Sequence, residues 1–370
     1  MGKDVYIYYS GATDKTGGLL AEALGVSGGR KSPGTKQKIV IGWGAKTDKS
    51  VSLGNATVLN HPDLIRANRN KLTALQMMAK AKVNVAPFVA AENIVAELGK
   101  KNTNIGVPLV GRTNYHQGGA NFFTCLTRTH VNEVLAVLNN KLKKKGYFQN
   151  YIDVKEEFRL HVVDGKIIYA QRKVARTNMK DAHVEDQMDK IKRMAEKKGV
   201  TIDEASLKFA MEYQGDKLAS PDMIIKSNTR GYKFSSVKLE NVNKSLASEA
   251  IKAVAALNLQ FGAVDCVIDP DGKAWVIEVN TGPGLEGTSF TSYVNAFKDV
   301  INKILTPAKA PANKTGSVKN SNDAPKTNKG KGKVKVDADK LRMLADMLDQ
   351  ADESEADVVN KLAARMFGNG

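Results

Sequence analysis

The segment "GAVDCVIDPDGKAWVIEVNTGPGLEG", residues 262–287, constrains this chain more than any other. Two apolar runs of strand length flank "DPDGK". Asp271-Gly272 is a strong turn signal, so the segment predicts an antiparallel hairpin. Side chains alternate faces along a strand. Glu278 and Asn280 therefore share a face, and pairing across the turn can bring Asp265 opposite that edge. A carboxylate in a strand bound for a core is costly unless something positive meets it. Two carboxylates and an amide oxygen form a hard, all-oxygen set, suited to magnesium that also holds nucleotide phosphates. Singly, each residue reads more simply as a solvated strand-end group. All three at this spacing before a glycine turn do not. Gly282 and Gly284 permit tight backbone turns, so main-chain N–H groups can face an anionic substrate.

The rest of the chain supplies an α/β frame. Val5–Tyr9 and Ile39–Trp43 read as strands with a helix, "TGGLLAEALG", between them, and 56–59 as a third strand. This β-α-β pattern predicts an α/β layer. In "NRNKLTALQMMAKAKVNVAPF", Leu72, Leu75, Met78 and Ala79 recur at helical spacing. A strand at 105–110 enters the polar glycine loop "GRTNYHQGGAN", and 131–145 reads as a helix with a basic end. Residues 158–163 and 167–172 form a first hairpin around "DGK". Charged helices follow at 181–198 and 203–213, then another helix at 245–257. From 306 to 336 Pro, Lys, Asn and Gly replace apolar residues, a linker unable to build a core. Residues 337–370 look helical, with Leu341, Leu344, Leu348, Val359, Leu362 and Met366 on a mixed three-and-four spacing.

At 370 residues the chain can bury a sizeable core in two or three domains. A net charge of +17 favours anionic partners. Nucleic acid is one such partner, but no zinc-finger spacing or aromatic RNA motif supports it. No apolar run approaches a membrane span, and "MGKDVYIYYS" has no signal-peptide core. The two cysteines, Cys125 and Cys266, lack metal-ligand spacing. The expectation is a cytoplasmic protein without disulfides.

The metal hairpin resembles that of the ATP-grasp ligases, closest to the branch of ribosomal-protein glutamate ligases (RimK-like). That branch also ends this hairpin in E-V-N followed by P-G-L-E-G. The "NKL" helix, "YFQNYIDVKEEFRLHVVDGKIIYAQRKV" and "IIKSNTRG" resemble further family segments in the same order. "IGWGA" is similar to a stretch of phage-encoded ATP-grasp proteins, which would place the chain in a host cytoplasm. The resemblance implies an α/β (α+β) ATP-grasp fold. Its parts would be an N-terminal domain at 1–66, an ATP-grasp domain at 67–305 with a lid at about 105–148, a basic linker at 306–336 and a C-terminal amphipathic helix at 337–370. It implies an ATP- and Mg2+-dependent carboxylate–amine ligase that works through an acyl phosphate and releases ADP and phosphate, with two metal ions and Mn2+ able to substitute. The partners would be a carboxylate, from a peptide C-terminus or a small acid, and an amine or amino acid. The C-terminal helix would dock on the chain itself, a second copy or another protein.

Residue by residue, the resemblance assigns Asp265, Glu278 and Asn280 to the metal. Arg112, where the family usually has Lys, and Gly118 and Gly119 of a shortened glycine loop would meet phosphate. Gln149, Tyr151 and Ile152 form the hinge that reads adenine, and Glu157 the ribose contact. Arg159, Lys173 and Arg230 would act at the reaction centre, with Asn228 beside them; a solvated loop is the competing reading for the last pair. His161 shares a face with Arg159 and reads best as a polar strand residue. The rival to the enzyme is a non-catalytic nucleotide-binding or nucleic-acid-associated scaffold on a degenerate ATP-grasp fold. Arg112 and the short loop favour that rival, and the Asp265, Glu278, Asn280 and Arg159 set favours the enzyme.

Overall fold

A computed structural model describes residues 3–33, 36–45, 53–116, 121–175 and 232–306. Gly118, Gly119, Asn228, Arg230, the charged stretch 177–218 and everything from 307 on lie outside the described residues.

The N-terminal unit is a parallel sheet, ordered β2-β1-β3-β4. Its strands are β1 (Val5–Tyr9), β2 (Ser27–Gly29), β3 (Ile39–Trp43) and β4 (Thr57–Leu59). β3 is buried along its whole length, as expected of a parallel strand covered on both faces. Helix α1 (Asp14–Leu24) ends where Gly25 turns left-handed at φ 64°.

Two short helices lead into the larger unit. In α2 (Pro62–Arg69), Pro62 fits the first turn because its missing N–H costs nothing there. Asn70 then ends α2 and caps α3 (Lys71–Lys80), its side chain accepting from the Thr73 N–H.

A small antiparallel sheet comes next, ordered β5-β8-β6-β7, with α4 (Ile94–Leu98) and α5 (Arg128–Ala136) against it. Its strands are β5 (Phe88–Ala90), β6 (Leu109–Thr113), β7 (Phe123–Cys125) and β8 (Gly146–Asn150). β6 starts at Leu109 rather than at 105, since Pro108 has no N–H for the ladder. The helix predicted over 131–145 is α5 continued by one π-helical stretch, Val137–Leu142. Asn139 and Asn140 are weak helix formers, and Lys143 ends the run in the left-handed region at φ 51°.

The central sheet is antiparallel, ordered β11-β10-β9-β12-β13. It comprises β9 (Glu156–Val163), β10 (Lys166–Ala175), β11 (Tyr232–Val237), β12 (Phe261–Ile268) and β13 (Ala274–Asn280). One face packs Phe158, Leu160, Val264, Cys266 and Val276 against α3 and α6 (Lys244–Ala256). The other face meets the N-terminal sheet and α7 (Gly287–Leu305) at one end. There Trp43 stacks on Phe261, ring centroids 5.5 Å apart, with Tyr293 and Phe297 edge-on. α7 has no counterpart among the sequence-derived elements. A capping box between Glu286 and Ser289 starts it. Among the described residues no helix is long and apolar enough to cross a membrane.

Asn60 clamps the two large units together. Its Oδ1 accepts from the N–H groups of Gln260 and Phe261 at 2.8 and 3.2 Å, and its Nδ2 donates to the Phe261 carbonyl at 2.8 Å. Asn60 is fully buried and sits at φ 59°, a left-handed conformation that Asn tolerates. Replacing Asn60 with Ala strands three backbone groups, two of them buried, and is expected to cost about 2–4 kcal/mol. Urea unfolding should show a lower midpoint; an unchanged midpoint would refute this account of the clamp.

Candidate active site

One row of side chains crosses four strands of the central sheet. Gln171 lies opposite Arg159, Arg159 opposite Asp265, and Asp265 opposite Glu278. Residues directly opposite on antiparallel strands share a face. Asn280, opposite Ala263, lies on that face one step along.

The Asp265–Glu278 pairing depends on a β-bulge. Counting from the turn, Ile268 pairs with Ala274 and Cys266 with Val276. Regular continuation would set Glu278 opposite Val264, which faces the apolar core. The register instead shifts between Asp265 and Cys266. Ile277 is the extra residue, and Glu278 turns onto the polar face. Bulges re-aim side chains in this way. The Val276 N–H, at the bulge, donates to the Asn84 carbonyl at 2.8 Å.

Cations flank both carboxylates. Arg159 grips Asp265 with two bonds, Nε to Oδ1 at 2.6 Å and Nη2 to Oδ2 at 2.8 Å. Lys71, the first residue of α3, reaches Glu278 Oε2 at 3.2 Å. Asn280 Nδ2 donates to both, 3.1 Å to Asp265 and 3.2 Å to Glu278. Burial alone would raise the Glu278 pKa, but Lys71, His116 and Arg112 together bring it down to about 2. Burial likewise opposes the Arg159 charge, and Asp265 outweighs it, so the guanidinium is held protonated.

These contacts test whether the three oxygen-bearing residues fit a magnesium ion. Among the described residues no three His, Cys, Asp or Glu side chains gather as a metal cluster. Asp265, Glu278 and Asn280 offer two carboxylates and one amide. The amide nitrogen sits between the carboxylates, and rotation of the amide about its last bond puts its oxygen there instead. Hard oxygen donors with net negative charge suit Mg2+, so the set fits.

The small sheet brings Arg112 and His116 over this row. The N–H of Lys71 donates to the Asn114 carbonyl at 2.8 Å, which ties the loop after β6 to α3. Lys71, Arg112, His116, Gln149 and Glu278 line one cleft. Arg112 Nε is buried and has no hydrogen-bond partner among the described residues, so it is a donor in reserve for a ligand. Burial lowers the Arg112 pKa. His116 Nδ1 donates to the Thr113 carbonyl at 2.8 Å, and burial next to Arg112 pushes its pKa down to about 4.

Glu157 pairs with Lys173 across the first hairpin, and Arg172 turns the other way to Glu156 at 2.9 Å. Phe234 of β11 lies over both cations, its centroid 4.5 Å from Arg159 and 5.4 Å from Lys173, a favourable cation–π arrangement. In the hinge, the N–H groups of Asn150 and Tyr151 donate to Pro87 and Pro108 within the small sheet. The Gln149 side chain donates to Ala86. Ile152 N–H has no backbone partner among the described residues. His161 is buried, held by Gln171 and Tyr293, with burial pushing its pKa down to about 4.

Sequence reasoning singled out Asp265, Glu278, Asn280, Arg159, Glu157, Lys173 and Arg112, and the fold brings these to one face or its cover. It did not single out Lys71, His116, Gln171, Phe234 or Tyr293. Only Lys71 and His116 had a signal, in the "NKL" and "HQGGAN" segments.

The carboxylate pair lies on the central sheet with Arg159, Lys71 and Arg112 around it, and the fold is that of the class of ATP-grasp ligases. A family model described as the RimK-like ATP-grasp domain matches residues 68–215 and 222–304, and the chain belongs to that family. Enzymes of this family are ATP-dependent carboxylate–amine ligases, and this protein is one of that class. Among solved structures, D-alanine–D-alanine ligase from Bacillus anthracis complexed with ATP is similar at 13% identity. The match covers 81% of this chain and 96% of that one, with a TM-score of 0.50. At that identity the likeness is one of fold. The ATP-grasp ligase PsnB complexed with a minimal precursor is 13% identical over 82% of this chain and 99% of its own, with a TM-score of 0.49. No curated protein matches the chain.

Glu278 links this charge arrangement to pH. Its folded pKa, about 2, lies below the ordinary value of 4.5. The stability it contributes is therefore complete above 4.5 and lost as pH falls toward 2. Lys71→Met removes the charge nearest to it and narrows that window. Acid unfolding followed by circular dichroism should move to higher pH in the variant; an unmoved transition would refute the Lys71–Glu278 coupling.

Proposed function

We propose that the protein transfers the γ-phosphoryl group of ATP to a substrate carboxylate and then joins the acyl phosphate to an amine. In the first step a carboxylate oxygen forms the new P–O bond and ADP leaves. In the second the amine nitrogen attacks the acyl carbon, phosphate leaves, and the nitrogen gives up a proton. The observation that carries this reading is the row Arg159, Asp265, Glu278 with Asn280, turned to one face by a bulge and covered by Arg112. Phosphoryl transfer is governed by positioning and charge neutralisation, and this face offers both.

Asp265, Glu278 and Asn280 would hold Mg2+, which when bound would neutralise phosphate charge and orient the transferring group. Arg112 would offer phosphate oxygens its Nε–H, which has no partner among the described residues, as part of a planar fork. Arg159 stands between the metal ligands and the acyl end and stabilises charge there. Lys173 is kept near by Glu157 and Phe234. Ile152 N–H is the hinge donor open to adenine. The acid is a small acid or a peptide C-terminus, and the amine is an amino acid or simple amine. The two free, buried cysteines suit the cytoplasm, where ATP is supplied.

Purified protein, ATP and Mg2+ should release ADP when the right acid is added, and hydroxylamine should trap the product as a hydroxamate. Glu278→Gln keeps the side-chain size and removes the charge; turnover should fall by about 100-fold or more, with the fold retained by circular dichroism. ATP binding without any acid-dependent ADP release would return the scaffold reading. Release of AMP would exclude γ-phosphoryl transfer.

The acidic segment beyond 336 is proposed to dock on the chain itself, a second copy or a partner. The described body closes with α7 at Leu305. Truncation after Leu305 should leave nucleotide binding intact while changing the oligomeric state in light scattering. An insoluble truncation would place that segment in the core.

A further inference from the structure

Gln171 is the unassigned member of the row. It stands directly opposite Arg159 across β10 and β9, on the face that carries Asp265 and Glu278. A glutamine amide has one acceptor oxygen and one donor nitrogen, so its rotamer decides what it offers a ligand.

Two buried side chains, His161 and Tyr293, stand behind that amide. Gln171 Oε1 lies 3.2 Å from His161 Nε2. With the amide in that sense the oxygen accepts and His161 Nε2 carries the proton. His161 is neutral in its buried site, so its Nδ1 is an acceptor. The Tyr293 hydroxyl, 3.4 Å away, is the group that donates to Nδ1. With this amide orientation the hydrogen bonds run in one sense, from Tyr293 to His161 to Gln171. His161 is 1% exposed and Tyr293 is 0% exposed, and their rings meet edge-on at 5.5 Å. The far end of the relay is therefore locked in the core under α7. The near end, Gln171 Nε2, has no hydrogen-bond partner among the described residues, and the side chain is half-buried.

We propose that Gln171 donates from Nε2 to a carboxylate oxygen of the acid substrate, with His161 and Tyr293 as positioning residues that hold the amide in this sense. The inference rests on the ligase reading above. Distance from the metal ligands favours the acid over the nucleotide. Neighbouring strands lie about 4.8 Å apart, so Gln171 is about 10 Å from Asp265, on the far side of Arg159. On the ligase reading the metal and phosphates would lie at the Asp265–Glu278 end, and the acyl end would fall beyond Arg159, toward Gln171. A neutral donor there meets the substrate anion and the oxyanion of the amine-attack step without adding another charge beside Arg159.

Gln171→Met keeps the length of the side chain and removes the donor. In the hydroxamate assay, kcat/KM for the acid should fall about 10- to 100-fold, with the loss appearing in the KM for the acid. Binding of AMPPNP with Mg2+, measured by calorimetry, and the thermal midpoint should stay at wild-type values. Tyr293→Phe should give a smaller loss in the same parameter, because His161 can then exchange tautomers and the amide can flip. Nitrogen-15 NMR of the histidine ring reads the relay directly. Wild-type protein should show His161 protonated at Nε2, and Tyr293→Phe should shift it toward Nδ1. A Gln171→Met enzyme with wild-type kinetics for the acid overturns the proposal, as does a wild-type His161 protonated at Nδ1. Weakened AMPPNP binding with an unchanged KM for the acid assigns Gln171 to the phosphoryl group instead and also overturns it. Wild-type protein that releases no ADP with any acid overturns the ligase reading, and this inference with it.

Discussion

Two carboxylates directly opposite each other on paired strands repel, and Asp265 beside Glu278 is such a pair. The sheet holds them because Arg159 grips one and Lys71 reaches the other. Removing either cation would leave a half-buried charge uncompensated, which costs more than the pair itself contributes. Arg159 comes from β9 and Lys71 from the first turn of α3. The charge balance therefore joins the central sheet to the helix that enters it, and through the Lys71–Asn114 hydrogen bond to the small sheet as well.

That balance explains why the surrounding parts are fixed so firmly. Asn70 caps α3 and thereby sets where Lys71 points. Glu249, buried in α6, accepts from the Asn84 N–H at 2.7 Å, while the Asn84 carbonyl holds the bulge through Val276. The linker after α3 thus serves as a brace for the strand that carries Glu278. On the N-terminal side, a Cβ on Gly282 would lie 2.9 Å from Gly44 Cα. Only glycine lets the loop after β13 approach β3 so closely, and the Gly44 N–H then donates to the Thr281 carbonyl.

The central sheet has two unlike faces, and the proposed active site lies where one of them changes character. Under α7 that face is aromatic, with Trp43, Phe261, Tyr293 and Phe297 packed edge to face. One row further it is charged. His161 stands at the border, its ring in the aromatic packing and its two nitrogens engaged by Tyr293 and Gln171. A histidine kept neutral by burial is a reasonable joint between the two regions, because it can bond on both sides without adding charge to a face already crowded with it.

Much of this was legible in the sequence. The turn at Asp271-Gly272 and the alternation around Glu278 and Asn280 marked the hairpin and its polar edge, because turn chemistry and strand period are local properties. Helix α3 was readable for the same reason. Helix α7 was not assigned, although its apolar spacing is regular, since nothing local says which surface its stripe covers. The sequence by itself determined which residues could meet: the carboxylates, the amide and the cations of the two hairpins. Only the tertiary structure decided how they meet. Simple alternation from the turn would have sent Glu278 into the core opposite Val264, and the bulge at Ile277, held by Asn84, turns it to Asp265. Lys71 joins from 207 positions away along the chain, and Tyr293 orients His161 from a helix that no local pattern connects to β9. Strand register and long-range contact are settled by the packing of the whole sheet, so the partners of these charges had to come from the fold.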